Sequence, residues 1–321
     1  MHAATSVSIL SALAALGVIL AIPHIYGILD LLWFHFLRPS SVKCYMHGGG
    51  APYAIVTGAT DGIGKATAAE LLRRGFNLIL HGRNEAKMQK VVEELGACAQ
   101  RDIQYFIGDT SKDGHDWETL LALFRELHIT VVVHNVGGEP LVDTRIDERP
   151  EEYLLGVVRS NAFFALFLTR ALLPQLRRAC HSGPVQVLLV GSFACDVGPP
   201  RLPMYAASKG FLRALARALS NDERFFGVGG VPSRVQFTYL SVGAVHSANH
   251  PAPMPPSLAV PTSARFAWWL VETVGCGRRH VVPYLVHALQ YGLMRMSGER
   301  AVDEGMAERM RVLMERAAKR A

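Results

Sequence analysis

Charged residues are missing from the beginning of the chain, and cysteines are few throughout. No Asp, Glu, Lys or Arg precedes Asp30. The five cysteines include no C-x-x-C pair, the spacing that zinc sites and redox pairs usually show, so we predict reduced thiols facing a cytosolic compartment and no metal site. The formal net charge is only +6, without basic runs interleaved with aromatic residues. Nucleic-acid binding is therefore not expected.

The uncharged beginning is strongly apolar. From Ser6 to Leu29 the chain is almost wholly hydrophobic, which is long enough to cross a hydrocarbon core of about 30 Å. A cleaved signal peptide fits less well, because the basic n-region is missing and the apolar run is long. A helix packed on the protein's own surface is the other alternative. Pro23 predicts a kink or an early end of the helix.

Basic residues follow the apolar run and indicate its orientation. Arg38 and Lys43 lie just beyond it, and the positive-inside tendency places the remaining chain in the cytosol. We therefore predict four segments, which are a single-pass membrane anchor over residues 1–47, a linker over 48–52, a soluble domain over 53–298 and a charged helical tail over 299–321.

A strand, a glycine turn and a helix begin the predicted soluble domain. The run Y-A-I-V-T predicts a buried strand, and G-x-x-x-G-x-G follows it directly. Such a turn lets backbone amides approach a pyrophosphate at the N-terminus of the next helix. The residues that we expect at the cofactor in this turn are Thr57, Gly58, Asp61, Gly62, Ile63 and Gly64.

The second predicted strand indicates which dinucleotide binds. An acidic residue about twenty positions beyond the glycines selects the free ribose hydroxyl, whereas an arginine accommodates a 2′-phosphate. Arg83 lies nineteen residues after Gly64, and no Asp or Glu occurs between Asn77 and Asn84. This spacing favours NADPH and NADP+ over NADH. The alternative is that Arg83 is only a solvated loop residue.

Three side chains later in the chain fit one reaction. Ser192 follows an apolar, strand-like run, and Tyr205 and Lys209 share one face of the amphipathic helix that comes next. An ammonium one turn away lowers the pKa of a phenol, which is otherwise about 10. Such a tyrosine can give a proton to a ketone oxygen while a hydride reaches the carbon, and Ser192 can hydrogen-bond the same oxygen. Taken alone, Y-x-x-x-K is common on helix surfaces.

In combination, these motifs resemble the short-chain dehydrogenase/reductase family. Ser192 lies thirteen residues before the Tyr205 of Y-A-A-S-K, and Asn161 lies thirteen residues before Pro174. The resemblance implies that Asn161 holds a water near Lys209 for proton relay. It also implies cofactor contacts at the adenine, in the N-V-G turn, at the ribose and at the nicotinamide end, from Asp109, Asn135, Gly137, Tyr205, Lys209, Gly243 and Ala244.

Two positions depart from the pattern of that family. His134 stands where members usually have the first Asn of an N-N-x-G turn. We expect this change to alter the local hydrogen bonding between strands more than cofactor binding. The segment Ser241-Val242-Gly243-Ala244 stands where members often have a Pro-Gly turn, so the nicotinamide end of the site differs from the usual arrangement.

Alternating strands and helices predict the fold. We expect an α/β fold, a doubly wound, Rossmann-like parallel sheet of about seven strands, with an N-terminal transmembrane helix. The proline-rich segment from Ser247 to Ser263 reads as a loop over the substrate cleft or as irregular surface. The apolar run V-H-A-L-Q-Y-G-L-M-R-M is too short to span a bilayer, though it could lie against one.

Several segments resemble one branch of the family. They are T-G-A-T-D-G-I-G-K-A, T-V-G-x-x-x-R and Y-L-V-H-A-L, which look like the membrane-bound very-long-chain 3-oxoacyl-CoA reductases and the 17β-hydroxysteroid dehydrogenases. The resemblance implies NADPH-dependent reduction of a lipid-like ketone, an acyl-CoA or a steroid, at the endoplasmic reticulum membrane, with two copies paired as a homodimer. Two alternatives stay open, a divergent ketoreductase of secondary metabolism and a membrane-tethered NADPH-binding protein without catalysis.

Overall fold

The chain divides into two compact units, Met1–Pro39 and Ser40–Ala321. The structure is a computed structural model that describes residues 2–141, 143–247 and 254–318. Of the predicted proline-rich loop, residues 248–253 lie outside this description, as do residues 319–321 of the predicted tail.

The first unit is one long helix. This helix, α1 (His2–Leu32), continues into a π-helical turn at Trp33–Leu37. The stretch Ser11–Leu37 is long and apolar enough to cross a membrane, with a mean hydropathy of 2.1 and no buried residue in its most apolar window. Pro23 lies inside α1, so the predicted early end of the helix there is wrong. Proline removes one backbone donor, and the flanking turns retain helical geometry.

The second unit contains a seven-stranded, all-parallel sheet within the described residues, with the order β3-β2-β1-β4-β5-β6-β7. This confirms the predicted doubly wound fold. The strands, rich in β-branched and other apolar residues, are β1 (Tyr53–Thr57), β2 (Asn77–Gly82), β3 (Ile103–Ile107), β4 (Ile129–His134), β5 (Val185–Val190), β6 (Val235–Leu240) and β7 (His280–Val281).

Helices connect and cover these strands. They are α2 (Gly62–Arg73), α3 (Glu85–Gly96), α4 (Trp117–Leu120), α5 (Glu151–Val158), α6 (Phe164–Ala179), α7 (Ala194–Val197), α8 (Pro203–Asn221), α9 (Ser263–Glu272), α10 (Leu285–Met296) and α11 (Glu299–Ala318). A π-helical turn at Arg159–Phe163 joins α5 to α6, and another at Asp222–Phe226 follows α8.

The core lies on both faces of the sheet. Alternate strand residues such as Ile55, Val132 and Val187 pack in one cluster with Leu172 of α6 and Leu212 of α8. Because successive strand residues point to opposite faces, their buried neighbours face the other side. Buried residues outside that cluster, on α2 and α9, cover this second face, and they include Leu71, Leu72, Phe266 and Leu270.

A second apolar stretch, Glu151–Ala179, also has the length and composition of a membrane span, with a mean hydropathy of 1.3. It comprises α5, the π-helical turn and α6. Its most apolar window is 39% buried, and Leu168, Leu172 and Leu176 belong to the core cluster. We therefore describe it as a core helix of the second unit.

Residues 40–47, which the sequence assigned to the anchor, belong to the second unit and pack against its sheet. The main-chain oxygen of Tyr45 accepts a hydrogen bond from Thr130 Oγ1 at 2.8 Å. His47 Nε2 lies 2.9 Å from the main-chain oxygen of Pro184. These contacts tie the segment to the start of β4 and to the residue before β5, so the folded domain begins earlier than Tyr53.

Candidate active site

The sheet order reverses between β1 and β4, and this reversal positions the candidate site. From β1 the sheet runs outward through β2 to β3, whereas from β4 it runs through β5 and β6 to β7. In doubly wound sheets, ligands bind beyond the carboxyl ends of the strands at this switch point. The predicted site residues follow the ends of β1, β2, β3, β4, β5 and β6 or lie on the helices after them.

The glycine loop after β1 is closely packed and leads straight into α2. Gly58 has a φ of +65°, in the left-handed region, and a Cβ on Gly64 would collide with the carbonyl oxygen of Gly58. Asp61 caps α2, because its carboxylate accepts a hydrogen bond from the N–H of Gly62 at 2.6 Å. Ile63 lies in the first helical turn, and the N–H groups at a helix N-terminus form the kind of site that holds a pyrophosphate.

Thr57 and Asn135 tie β1 to β4 where the two strands end. Thr57 Oγ1 accepts hydrogen bonds from the N–H groups of Asn135 at 2.9 Å and Val136 at 3.2 Å. The side-chain amide of Asn135 donates to the carbonyl oxygen of Thr57 at 3.2 Å. These bonds hold the glycine loop and the N-V-G turn at a fixed separation. Direct contact of either residue with a cofactor stays a prediction.

Arg83 and Asp109 lie at the outer end of the site. Arg83 is exposed after β2, and Asp109 follows β3. The pKa of Asp109 is lowered by hydrogen bonds from the hydroxyl and N–H of Ser111, and further by the nearby charges of Lys112 and Arg83. The charge of Arg83 thus acts on Asp109, and contact of either residue with a nucleotide stays a prediction.

Lys209 is buried beneath the site. Its side chain is on α8, and Nζ donates a hydrogen bond to the carbonyl oxygen of Val190, the last residue of β5, at 3.0 Å. Nζ also lies 5.6 Å from the ring centroid of Tyr205. The residue is only 3% exposed, and this burial lowers the pKa of Lys209 to about 8. The predicted shared helix face therefore brings the two side chains together.

The pKa of Tyr205 departs from the predicted direction. Burial raises the pKa of the phenol, although the residue keeps part of its surface exposed. A hydrogen bond with the Ser192 side chain lowers this pKa but does not reverse the effect of burial. The predicted lowering by Lys209 is thus not the net result, because a neutral phenol is easier to bury than a phenolate. Ser192 itself accepts the N–H of Ala194 at 3.1 Å.

Asn161 lies in the π-helical turn between α5 and α6, beside Gly137. Its Oδ1 accepts from the N–H of Gly138 at 2.7 Å, while Nδ2 donates to the carbonyl oxygens of Gly138 and Val157, both at 2.9 Å. A Cβ on Gly137 would lie 2.5 Å from this Oδ1 and 2.7 Å from Lys209 Nζ. Asn161 Oδ1 and Lys209 Nζ therefore both lie close to Gly137 and leave no room for a side chain there. π-helical turns often mark functional sites.

The two departures from the family pattern have defined partners. His134 is buried, and its Nε2 lies 2.8 Å from Thr169 Oγ1 on α6. The sequence predicted altered hydrogen bonding between strands, whereas His134 forms its hydrogen bond from strand β4 to helix α6. Ser241 Oγ lies 2.8 Å from His280 Nε2, so the first residue of the segment that stands in place of a Pro-Gly turn is tied to β7.

A histidine that the sequence did not single out holds the turn after β6. His287 of α10 accepts a hydrogen bond at Nδ1 from the N–H of Gly243 at 3.3 Å, and its Nε2 lies 3.1 Å from the carbonyl oxygen of Ala244. Burial lowers the pKa of His287, which keeps Nδ1 available as an acceptor. Its only signal in the sequence was its place in Y-L-V-H-A-L.

Two further residues of the site were also missed. A Cβ on Gly62 would lie 2.6 Å from Ser247 Oγ, so this hydroxyl faces the glycine loop from the start of the proline-rich segment. Glu139 follows the N-V-G-G turn and accepts a hydrogen bond from the N–H of Tyr205 at 3.0 Å. Sequence spacing carries no signal for either contact, since both join segments far apart in the chain.

The fold and the site together define a doubly wound α/β protein with a tyrosine, a lysine and a serine at the carboxyl end of the sheet. Comparison with known proteins agrees with this class. The family model of short chain dehydrogenases matches residues 52–235. The very-long-chain 3-oxoacyl-CoA reductase of Kluyveromyces lactis is 31% identical to the chain, and the match covers 82% of this chain and 75% of the relative. The reductase of the same name from Eremothecium gossypii is 33% identical, over 80% of this chain and 74% of its own.

Solved structures show the same likeness. A short chain dehydrogenase of Escherichia coli CFT073, solved in complex with NADPH, superposes with a TM-score of 0.59 at 25% sequence identity, over 69% of this chain and 90% of its own. The chain belongs to the short-chain dehydrogenase family and is an oxidoreductase.

Proposed function

We propose that the protein reduces the ketone of a 3-oxoacyl-CoA to the 3-hydroxyacyl-CoA, with NADPH as the reductant. The arrangement of Ser192, Tyr205 and Lys209 at the switch point is the observation that carries the proposal. Its substrate class is supported by the relatives named very-long-chain 3-oxoacyl-CoA reductase, which the chain matches over about three quarters of their length.

The residues present fit a dinucleotide phosphate. A Cβ on Gly64 would collide with the carbonyl oxygen of Gly58, and a Cβ on Gly62 would collide with Ser247 Oγ. Glycine at these positions therefore lets the loop pack closely against the start of α2, as dinucleotide-binding turns require. Ser247 faces the same loop with a hydroxyl donor. Arg83 supplies the positive charge for a 2′-phosphate, and the relative solved with NADPH supports this choice of cofactor.

In the proposed reaction, NADPH supplies a hydride to the ketone carbon. The Tyr205 hydroxyl gives its proton to the ketone oxygen, and Ser192 hydrogen-bonds that oxygen as its charge grows. Lys209, buried beside the ring, stabilises the phenolate left behind. The products are the alcohol and NADP+, and Tyr205 then recovers a proton from solvent.

We propose that this proton returns past Lys209 Nζ and Asn161 Oδ1, which both lie beside Gly137. Both amide hydrogens of Asn161 are already used by main-chain oxygens, so Asn161 can only accept from a water. A water bound between the two side chains would accept from Lys209 and donate to Asn161, which is one step of a relay.

The proposal places the enzyme at the endoplasmic reticulum membrane, with α1 as a single-pass anchor and the catalytic unit in the cytosol. The length and apolar composition of Ser11–Leu37 support the anchor. Two copies would pair through the long helices, where Phe163, Phe167 and Phe211 form a half-exposed aromatic cluster with ring centroids 6.0 to 6.2 Å apart.

The test is oxidation of NADPH by the detergent-solubilised protein. We expect turnover of a long-chain 3-oxoacyl-CoA, slower turnover with NADH, and no reduction of a 17-ketosteroid. Tyr205→Phe is expected to lose at least about a hundredfold in turnover, as general acid catalysis contributes on that order, and to keep NADPH affinity. Undiminished turnover by Y205F would overturn the assignment of the proton donor.

A further inference from the structure

A buried ion pair lies beside the catalytic helix and takes no part in the proposed chemistry. Arg149 and Glu139 form a salt bridge, and their side chains are 3% and 0% exposed. Burying an ion pair removes both charges from water, and this desolvation cost offsets the attraction between them. A buried ion pair is therefore usually no more stabilising than apolar residues of the same size. Its position next to α8 therefore calls for a role other than stability.

Glu139 caps the helix that carries Tyr205. The N-cap residue of α8 is Leu202, which has no side-chain group to bond the free amides of the first turn. Glu139 Oε2, from the loop after β4, accepts the N–H of Tyr205 at 3.0 Å, and Tyr153 donates its hydroxyl to Oε1 at 3.4 Å. The carboxylate thus lies at the positive end of the helix, at the catalytic residue itself.

Arg149 holds the chain just before the same helix. Its Nη2 donates to the carbonyl oxygen of Arg201 at 2.6 Å and to that of Thr144 at 3.1 Å. Arg201 has a φ of +67°, a left-handed conformation that is strained for a residue with a side chain. The guanidinium therefore fixes the strained turn that leads into Pro203 while it pairs with the carboxylate that caps the helix.

We propose that Glu139 and Arg149 are positioning residues that fix the first turn of α8, and with it the Tyr205 hydroxyl, against the N-V-G-G turn. This inference rests on the proposed ketone reduction. Gly137, two residues before Glu139, borders Lys209 Nζ and Asn161 Oδ1. The Glu139–Arg149 pair therefore links the N-V-G-G turn, beside the proposed proton path, to helix α8, which contains the proton donor Tyr205.

The first test measures hydrogen exchange in the first turn of α8, a readout that does not depend on activity. Glu139→Ala removes the acceptor of the Tyr205 amide, so hydrogen exchange in the first turn of α8 should accelerate by about tenfold or more, as expected where a cap is worth about 1 to 2 kcal/mol. The matched control is Glu148→Ala, in a salt bridge with Arg145 that is exposed on both sides. It should leave exchange in α8 unchanged.

The second test measures catalysis in the full-length, detergent-solubilised protein. In E139A the kcat for 3-oxoacyl-CoA should fall by about tenfold or more, because small misplacements of a reacting group have effects of that size. The dissociation constant of NADPH should stay within about twofold, since the glycine loop is untouched. If E139A does not fold, Arg149→Lys keeps the charge but loses the second arm to Arg201, and the same fall in kcat is expected.

A pH profile separates positioning of Tyr205 from a merely structural role. Burial is the main cause of the raised pKa of Tyr205, and the negative charge of Glu139 raises that pKa further. In E139Q the alkaline limb of the rate profile should therefore move to lower pH. The other groups that face the phenol stay in place, and they are Ser192, Cys195, Lys209 and Tyr239. A loss of stability without this shift would contradict the proposal.

The outcomes distinguish the two proposals. Wild-type protein that reduces no 3-oxoacyl-CoA would overturn the proposed function, yet faster exchange at Tyr205 in E139A would still support the helix cap. Unchanged exchange in E139A, or wild-type kcat in both E139A and R149K, would overturn the positioning role while leaving the reductase proposal standing.

Discussion

Gly137 shows at the scale of one residue how little room the site has. A Cβ there would lie 2.5 Å from Asn161 Oδ1 and 2.7 Å from Lys209 Nζ, and the residue has a φ of +148°. Gly137→Ala should therefore displace Lys209 and lower kcat by about tenfold to a hundredfold. Steady-state kinetics with a 3-oxoacyl-CoA, alongside NADPH titration, would measure the effect.

Gly138 provides the matched control for that substitution. Its φ of +151° is nearly the same, but a Cβ there would meet no atom within 4 Å. Gly138→Ala introduces the same backbone strain, but its methyl group contacts neither Asn161 nor Lys209. It should therefore lower stability and leave kcat nearly unchanged. Equal losses of kcat in the two variants would mean that backbone strain, and not the space beside Lys209, matters.

The residues of this site were predictable only where local spacing encodes them. Tyr205 and Lys209 are one helical turn apart, so their meeting follows from the sequence. The direction of the Tyr205 pKa does not follow, since burial depends on distant segments that close around the ring. Glu139 and His287 were missed for the same reason, because each contacts a residue more than forty positions away.

At the scale of elements, the contact between β4 and α6 gives the fold a dependence on pH. His134 lies on β4, its Nε2 is 2.8 Å from Thr169 Oγ1 on α6, and complete burial lowers the pKa of His134 to about 3. In the unfolded chain a histidine has a pKa of about 6.5. The stability that the neutral ring contributes is therefore present above that pH and is lost as pH falls toward 3.

His134→Asn should reduce this sensitivity to acid. One proton taken up only by the unfolded state contributes a slope of about 1.4 kcal/mol per pH unit to the free energy of unfolding. Urea unfolding at about pH 7, 6 and 5 should give a slope for H134N that is smaller by up to that amount. Thr169→Val, which keeps the histidine, should lower stability by about 1 kcal/mol at every pH and leave the slope as it is.

The elements themselves were largely predictable. Short β-branched runs bounded by turns predicted the strands, and apolar residues three and four apart predicted the long helices around Asn161 and Tyr205. The π-helical turn at Arg159–Phe163 was not predicted. An extra residue within a helix leaves the apolar period almost unchanged. The turn is revealed by a backbone hydrogen bond from the N–H of Phe164 to the carbonyl oxygen of Arg159, five residues earlier.

At the scale of the whole molecule, the chain is a helix of membrane-spanning length and a catalytic unit that begins at Ser40. Composition predicted the helix but not this boundary, because the segment after Arg38 has neither a hydrophobic periodicity nor a charge pattern that assigns it to the anchor or to the folded domain. Burial and hydrogen bonds assign it to the domain. Val42 and Tyr45 are 3% and 2% exposed, as core residues are.

Two truncations test where the catalytic unit begins. A protein that starts at Ser40 should stay folded, reduce a water-soluble short-chain 3-oxoacyl-CoA, and no longer sediment with membranes. A protein that starts at Gly48 loses the buried side chains of Val42 and Tyr45 and should be less stable by about 3 kcal/mol or more, since each contributes about 1.5 kcal/mol or more when buried. Urea unfolding of the two proteins measures this difference, and equal midpoints would mean that residues 40–47 belong with the anchor after all.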